Sequence, residues 1–179
     1  MKILSLHCDY IKFKPLKKAV KEPEELSEET KKEVEVKEPL GIFVAVEKSD
    51  EKNPDQASDE LVKNVLDLMD KTKAKKVVLY PYAHLSPNLA NPDVALLVLV
   101  ETEAKLKKNK IEVYRAPFGY YKEFELKCKG HPLAELSREI IIDKDGAREV
   151  KVGSESKEKL NLKEEVYDYK QLLRQISKS

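Results

Sequence analysis

A chain of 179 residues is long enough to bury one hydrophobic core, and its length suits a single domain with a tail. A net charge of +1, with 37% charged residues, excludes a uniformly basic nucleic-acid binder, so any RNA contact must come from local lysine clusters. No apolar run approaches the ~20 residues that a membrane-spanning helix needs. Because no secretory signal is recognisable, we expect a cytoplasmic protein with reduced thiols at Cys8 and Cys128.

Hydrophobic patterns predict a series of strands with a long polar excursion near the start. In the first strand, Leu4, Leu6, Cys8 and Tyr10 alternate toward one side. Residues 14–39 are rich in Lys and Glu and contain three prolines. That composition is typical of a surface excursion or a partly ordered arm. The predicted strands are 2–13, 41–46, 77–80, 111–114, 122–128, 139–142 and 148–152, the last two joined by a hairpin turn at Asp145-Gly146.

Two helices are predicted where the motif Asn-Pro-Asp recurs, at 53–55 and at 91–93. The motif supplies an N-cap, a proline at the first helical position and an acid in the first turn. The first helix shows one amphipathic face. In the second, residues 94–100 are almost wholly apolar, which indicates burial in the core or at an interface. This order of elements predicts an α/β fold, a layered β-sheet with two main helices.

The strand at 122–128 carries the most informative side chain. A period of two places Lys122 on the same face as Phe124, Leu126 and Cys128. A lysine at the edge of an apolar face either extends to water or lies at the rim of a pocket, where little water screens its charge. Both interpretations stay open from the residues alone.

The chain has three histidines, His7, His84 and His131, each at a strand end or corner. His84 follows a buried strand, where open sheets commonly place ligand sites, although a lone histidine is more often a polar surface residue. With Cys8 and Cys128 the histidines could form a zinc site. Only one local pair with C-x-x-H spacing exists, so we expect no metal.

Covalent catalysis and phosphate binding are both disfavoured. The sequence contains no Gly-x-Ser-x-Gly motif, P-loop or dinucleotide fingerprint, so we expect no cofactor. Nothing fixes a nucleophilic triad. Glu135 follows Pro132 in a predicted short helical turn, and it is either a surface acid or a pocket carboxylate that pairs with a cation.

Several segments resemble the N-terminal editing domain of archaeal threonyl-tRNA synthetase, a family similar in fold to the D-aminoacyl-tRNA deacylases. The resemblance covers residues 1 to about 143. Two of the matching segments, 116–122 and 128–138, are long and specific. The segments are Leu4-Ser-Leu-His-Cys-Asp-Tyr10, Val46-Glu-Lys48 with Glu51-Lys-Asn-Pro54, Tyr80-Pro-Tyr-Ala-His-Leu-Ser86, Ala116-Pro-Phe-Gly-Tyr-Tyr-Lys122 and Cys128-Lys-Gly-His-Pro-Leu-Ala-Glu-Leu-Ser-Arg138.

The resemblance implies an editing domain, which we place at 1–152. The residue pattern after it predicts a linker and a C-terminal helix at 153–179, which would lead toward the synthetase body. It implies proofreading hydrolysis of L-seryl-tRNA(Thr) that spares threonyl-tRNA(Thr), assisted by the ribose hydroxyl of the terminal adenosine. The implied partners are the 3′ end of tRNA(Thr), a second copy in a homodimer, and the rest of the synthetase in cis or in trans. D-aminoacyl-tRNA deacylation and non-catalytic binding of the tRNA acceptor end are the alternatives.

The resemblance also implies a set of site residues. Lys122 and His84 would be catalytic in the sense of positioning and stabilising the ester, not as obligatory bases. Glu135 would hold the substrate ammonium or pair with Lys122. Cys8 departs from the serine of the family, and we expect a core strand to tolerate it. The implied substrate-binding residues are Val46, Pro81, Ala83, His84, Phe118, Tyr121, Lys122 and Glu135.

Overall fold

The structure is a computed structural model that describes residues 1–142 and 148–153. Over these residues the chain forms eight strands and two α-helices. In chain order they are β1 (Lys2–Lys18), β2 (Val34–Lys37), β3 (Pro39–Ala45), α1 (Pro54–Thr72), β4 (Lys76–Pro81), α2 (Pro92–Lys108), β5 (Glu112–Arg115), β6 (Tyr120–Cys128), β7 (Glu135–Ile142) and β8 (Arg148–Val152). Short 3₁₀ helices span Lys48–Lys52 and Ala83–Leu85.

The long strand β1 belongs to two layers of sheet. Its first half lies in a main sheet with the strand order β5-β4-β3-β1-β7-β8, in which β3, β4 and β5 run parallel. Its second half leaves that sheet and pairs antiparallel with β6 and β2. The predicted excursion at 14–39 is therefore partly strand, because β1 continues to Lys18 and β2 occupies Val34–Lys37.

A register shift between Cys8 and Tyr10 marks a bulge in β1. Beyond it, Ile11 and Phe13 turn inward and pack in the same cluster as Cys8. The Tyr10 hydroxyl donates to Glu125 (2.6 Å) at the surface. The prediction that Tyr10 shares a face with Cys8 is therefore wrong, since an extra residue inverts the alternation.

The main sheet is buried on both faces. On one face, Leu61 of α1 and Leu99 of α2 pack in a cluster with Ile42 of β3. On the other face, Phe43 and Tyr80 pack beneath the layer formed by β2, β6 and the second half of β1. Because successive strand residues point to opposite faces, a strand covered twice reads as a continuous apolar run, as β3 does.

The two predicted helix starts are confirmed, but they are capped differently. The Asn53 side chain accepts a hydrogen bond from the Gln56 backbone N–H (3.1 Å), a typical N-cap. At Asn91, the backbone N–H instead donates to the Glu51 carboxylate (2.6 Å). The apolar run of α2 is divided by the helical period: Ala95, Val98 and Leu99 are buried, whereas Leu97 and Val100 are exposed.

The strands β7 and β8 pair antiparallel from Arg138–Val152 to Ile142–Arg148, which confirms the predicted hairpin. Its turn at Asp145-Gly146 and the linker and helix predicted after Gly153 lie outside the described residues. Neither α-helix described here is long and apolar enough to cross a membrane.

Candidate functional site

A cavity of about 460 Å³ opens where β3 and β4 end. Its base is formed by the ends of those strands, and one wall by the first turns of α2. The turn between β5 and β6 and the residues after β1 close the other side. The lining residues are Ala19, Val20, Val44, Ala45, Val46, Tyr80, Pro81, Tyr82, Ala83, His84, Leu89, Ala90, Pro92, Ala95, Leu99, Phe118, Gly119, Tyr120, Tyr121, Lys122 and Phe124.

The loop between β4 and α2 is held alongside the segment that follows β3. Tyr82 N–H donates to the Val44 carbonyl (2.8 Å), and Ala90 N–H donates to the Val46 carbonyl (3.0 Å). Between these two bonds the chain turns outward through the 3₁₀ helix Ala83–Leu85. This local geometry places His84 at the mouth of the cavity, with its ring 5.2 Å from that of Tyr82.

Seven of the eight residues implied by the resemblance line this cavity. Glu135 is the exception among the described residues. It is the first residue of β7, exposed and opposite Leu6 of β1, so the predicted short helical turn at this position is wrong. Its proposed role toward a substrate ammonium stays a prediction.

Lys122 is the most unusual group of the cavity. Its Nζ donates to the carbonyl oxygens of Pro117 (2.9 Å) and Tyr120 (3.0 Å) and lies 5.2 Å from the centroid of the Tyr80 ring. In the described part of the chain it makes no ion pair with a carboxylate. Burial lowers the pKa of Lys122 to about 8, although the negative charge of the Glu24 carboxylate acts in the opposite direction and raises it. The cation therefore faces the cavity with two neutral acceptors and little water.

Aromatic rings surround this lysine. The ring of Tyr80 contacts those of Phe43 (4.9 Å between centroids) and Phe124 (5.4 Å), and Tyr82 contacts the same two rings. Burial raises the pKa of the Tyr80 hydroxyl, so this group stays neutral. The cluster gives the cavity an apolar floor. Because apolar side chains screen a charge less than water does, the field of the ammonium is stronger beside this floor.

Sequence reasoning missed the wall formed by Ala19 and Val20. Ala19 N–H donates to the Gly119 carbonyl (2.8 Å), which joins the end of β1 to the turn before β6. Gly119 has φ +83°, and a Cβ there would lie 2.8 Å from both Val20 and Pro23. Only glycine permits this approach. Small apolar residues in a Lys/Glu-rich arm carry no sequence signal of a site.

The remaining histidines and the cysteines meet elsewhere. His7 Nδ1 and His131 Nε2 are 2.8 Å apart, so one nitrogen donates and the other accepts. Cys8 and Cys128 are direct partners in the β1–β6 ladder, and burial raises the pKa of Cys8 to about 12. Within 1–142 and 148–153, no three His, Cys, Asp or Glu side chains converge as metal ligands.

Comparison with known proteins decides the family. The sequence model described as the archaea-specific editing domain of threonyl-tRNA synthetase matches residues 1–140. The chain belongs to this family. The editing domain described above thus has the predicted α/β fold, similar to that of the D-aminoacyl-tRNA deacylases.

Three curated threonine--tRNA ligases illustrate how close this editing domain is to its relatives. The Thermococcus kodakarensis protein is 47% identical over 163 residues, which is 91% of the chain and 26% of that ligase. The Thermococcus onnurineus protein is 51% identical over 141 residues, 79% of the chain and 22% of the ligase. The Methanosphaera stadtmanae protein is 47% identical over 143 residues, 80% and 23% respectively. The chain spans about a quarter of the length of these relatives.

A solved structure shares the fold without close sequence similarity. It is titled c-Myc DNA Unwinding Element Binding Protein, with a TM-score of 0.55 and 10% sequence identity over 78% of the chain and 98% of that structure. At this identity the likeness shows the fold alone.

Proposed function

We propose that the cavity hydrolyses the aminoacyl ester of L-seryl-tRNA(Thr) and spares L-threonyl-tRNA(Thr). The observation that carries the proposal is the half-buried ammonium of Lys122, which has no carboxylate partner among the described residues and faces an apolar cavity. Membership of the editing-domain family supports tRNA proofreading as the general activity. The serine substrate is the finer step that we add.

The lining limits how the ester can be cleaved. Among the described lining residues there is no Ser, Thr, Cys, Asp or Glu, so the wall offers neither a Ser, Thr or Cys nucleophile nor a carboxylate base. Water must therefore add directly to the ester carbonyl. The Lys122 ammonium stabilises the negative charge that develops on the carbonyl oxygen, an effect that is strong where solvent is excluded. His84 at the mouth orients the ester or the attacking water by hydrogen bonding.

A second proposal concerns the group that activates water. The terminal ribose of the substrate carries a hydroxyl next to the esterified oxygen, within the same bound molecule. We infer that this hydroxyl positions the attacking water, because the described lining supplies no carboxylate base for that task. Water then adds to the carbonyl, the C–O bond to the ribose breaks, and the released ribose oxygen takes up a proton. A substrate lacking that hydroxyl should be hydrolysed far more slowly, with binding retained.

Serine and threonine differ by one methyl group, and this small difference limits how the two amino acids can be distinguished. One methyl group changes binding by only about 1–3 kcal/mol, too little for a synthetic site to exclude serine. A second site that admits serine but is too small for threonine hydrolyses only the serine ester, so its preference is opposite to that of the synthetic site. The rigid aliphatic and aromatic walls of the cavity are suited to such steric exclusion, since packed cores do not yield easily.

The test is deacylation of L-seryl-tRNA(Thr) by the chain alone, with L-threonyl-tRNA(Thr) and D-seryl-tRNA(Thr) as parallel substrates. Loss of L-serine with threonine spared is the expected result. Preferential loss of D-serine would replace the proposal with D-aminoacyl-tRNA deacylation. Survival of all three esters, with tRNA still bound, would make the domain a binding module and overturn the catalytic assignment.

The proposed partners need separate measurements. Homodimer formation is expected from the resemblance, and sedimentation equilibrium of the purified chain checks it directly. The rest of a threonyl-tRNA synthetase, in cis or in trans, is the other proposed partner. A rise in the rate of seryl-tRNA(Thr) hydrolysis on mixing the chain with a synthetase that lacks its own editing activity would support action in trans.

A further inference from the structure

The segment after β1 is fastened to the turn before β6 by several independent contacts. The Glu24 carboxylate accepts a hydrogen bond from Arg115 Nη1 (2.5 Å). The Glu24 backbone carbonyl accepts another from the Tyr120 hydroxyl (2.9 Å). With the Ala19–Gly119 bond described above, these contacts bind both ends of the segment to the β5–β6 region. Glu24 and Arg115 are both largely buried, with side chains 15% exposed.

Arg115 also contacts a second carboxylate, that of Glu103 in α2. Its Nε donates to Glu103 of α2 (2.7 Å), so one guanidinium holds two carboxylates from different elements. Burial opposes both shifts, but the two carboxylates raise the pKa of Arg115, and Lys107 with Arg115 lowers the pKa of Glu103. The fork geometry of a guanidinium permits this double attachment, which a lysine cannot reproduce.

The turn that these contacts hold is the one that orients Lys122. The acceptors of the Lys122 ammonium are the carbonyl of Pro117, within the turn, and the carbonyl of Tyr120, which ends the turn and begins β6. The Tyr120 hydroxyl donates to the Glu24 backbone carbonyl, so a displacement of the backbone at Glu24 is transmitted to the residue that carries one of these acceptors. The same segment contributes Val20 to the cavity wall.

We propose that Glu24 and Arg115 are positioning residues for the hydrolysis. Their ion pair holds the turn whose carbonyls orient the Lys122 ammonium, and it keeps the Val20 wall closed over the cavity. The inference rests on the proposed function of the same cavity. Neither residue lines that cavity, and neither belongs to the set implied by the family resemblance.

Charge provides a second link between Glu24 and the lysine. Glu24 is the carboxylate whose field counteracts the effect of burial on Lys122 and raises its pKa. The other titratable side chains of the cavity lining are Tyr80, Tyr82, His84, Tyr120 and Tyr121. Removing the Glu24 charge should therefore make the ammonium lose its proton at a lower pH.

The experiment compares Glu24→Gln with Glu103→Gln in the full chain. Both changes remove one carboxylate from the same guanidinium, but only the first acts on the turn. We expect Glu24→Gln to lower kcat for L-seryl-tRNA(Thr) by about tenfold with KM little changed, because a displaced catalytic group slows chemistry more than binding. The alkaline limb of its kcat profile should move to lower pH. Glu103→Gln should match it in melting temperature while keeping the wild-type kcat and profile.

A readout without substrate separates this inference from the proposed function. The Lys122 amine can be titrated by NMR after isotope labelling, with Lys122→Met used to assign its signal. A lower titration midpoint in Glu24→Gln than in both wild type and Glu103→Gln supports the inference even if no ester is hydrolysed. An unmoved midpoint, or equal kcat losses in the two variants, would overturn it. Glu24→Asp, which keeps the charge, should recover part of both effects.

Discussion

Two regions of the molecule gather the side chains that ordinarily perform chemistry, and they differ in whether those groups are already satisfied. At the histidine–cysteine corner, formed by His7, Cys8, Cys128 and His131, the imidazoles bond to each other and the thiols face each other across a strand pair. At the cavity, Lys122 donates to two carbonyl oxygens, has no carboxylate partner within the described part of the chain, and lies beside open volume. The comparison shows that residue type alone does not mark a reactive site.

Physical chemistry explains the difference. A buried thiol with a raised pKa is protonated at neutral pH and is therefore a poor nucleophile, which applies to Cys8. The hydrogen bond between the two imidazoles occupies His7 Nδ1 and His131 Nε2, so these two nitrogens are not available to a ligand. A half-buried ammonium beside a cavity keeps much of its field, because partial burial limits the screening of its charge by solvent. We therefore expect the corner to govern stability and the cavity to govern activity.

The largest expected effect is that of Lys122→Met. This change keeps the length of the side chain and removes the charge, so hydrolysis of seryl-tRNA(Thr) should fall by about 10²-fold or more. The matched control is Lys127→Met, on the same strand but exposed and bonded to Asp9 (3.4 Å). It should leave the rate within about twofold, since it lies outside the cavity lining. Equal rates in both variants would remove Lys122 from the mechanism.

The next comparison replaces one histidine in each of the two regions by alanine. His84→Ala should lower the rate of hydrolysis about tenfold with little change in unfolding free energy, because the ring is exposed at the mouth of the cavity. His131→Ala should instead lower the free energy of unfolding and leave the rate of hydrolysis unchanged. It leaves His7 Nδ1 without its partner and should cost about 1–3 kcal/mol in urea unfolding, with the rate retained. A stable His131→Ala protein without activity would contradict the division of roles.

Mild acid should act on the histidine–cysteine corner. Burial, with the charges of His131 and Lys129, lowers the pKa of His7 below its ordinary value of 6.5. Below pH 6.5 the unfolded chain therefore binds more protons than the folded chain, and the free energy of unfolding falls as the pH is lowered. Urea unfolding between pH 7 and pH 5 should show this slope, and His7→Gln should reduce it. An unchanged slope in the variant would assign the effect to other groups.

The smallest effect is expected for Cys8→Ser. Cys8 is fully buried, and its Sγ lies 3.5 Å from the Leu6 carbonyl, which a serine hydroxyl can reach after a small shift. The retained hydrogen bond should limit the loss of stability to about 1 kcal/mol, with hydrolysis unaffected. Thermal unfolding of the variant beside Cys8→Ala, which has no such donor, isolates the bond. A larger loss for serine than for alanine would mean that the hydroxyl is unsatisfied.

Much of the fold and the site was accessible from local pattern. The repeated Asn-Pro-Asp motif determined where both helices begin, and the continuous apolar run at 41–46 indicated a strand covered on both faces. Alternation on β6 placed Lys122 on an apolar face, and the segments Tyr80–Ser86 and Ala116–Lys122 supplied ten of the 21 residues that line the cavity. These features depend on capping, period and turn chemistry, each of which acts over a few residues.

Other features arose only when distant segments met in space. The bulge that turns Tyr10 outward depends on the strand that pairs with β1, and the wall of Ala19 and Val20 depends on Gly119, about a hundred residues away. The lowered pKa of Lys122 requires burial that no local pattern reports. The sequence by itself determined the elements and the groups available for chemistry, because those follow from short-range forces. The tertiary structure decided which groups stay unpaired, because pairing and desolvation depend on every neighbour.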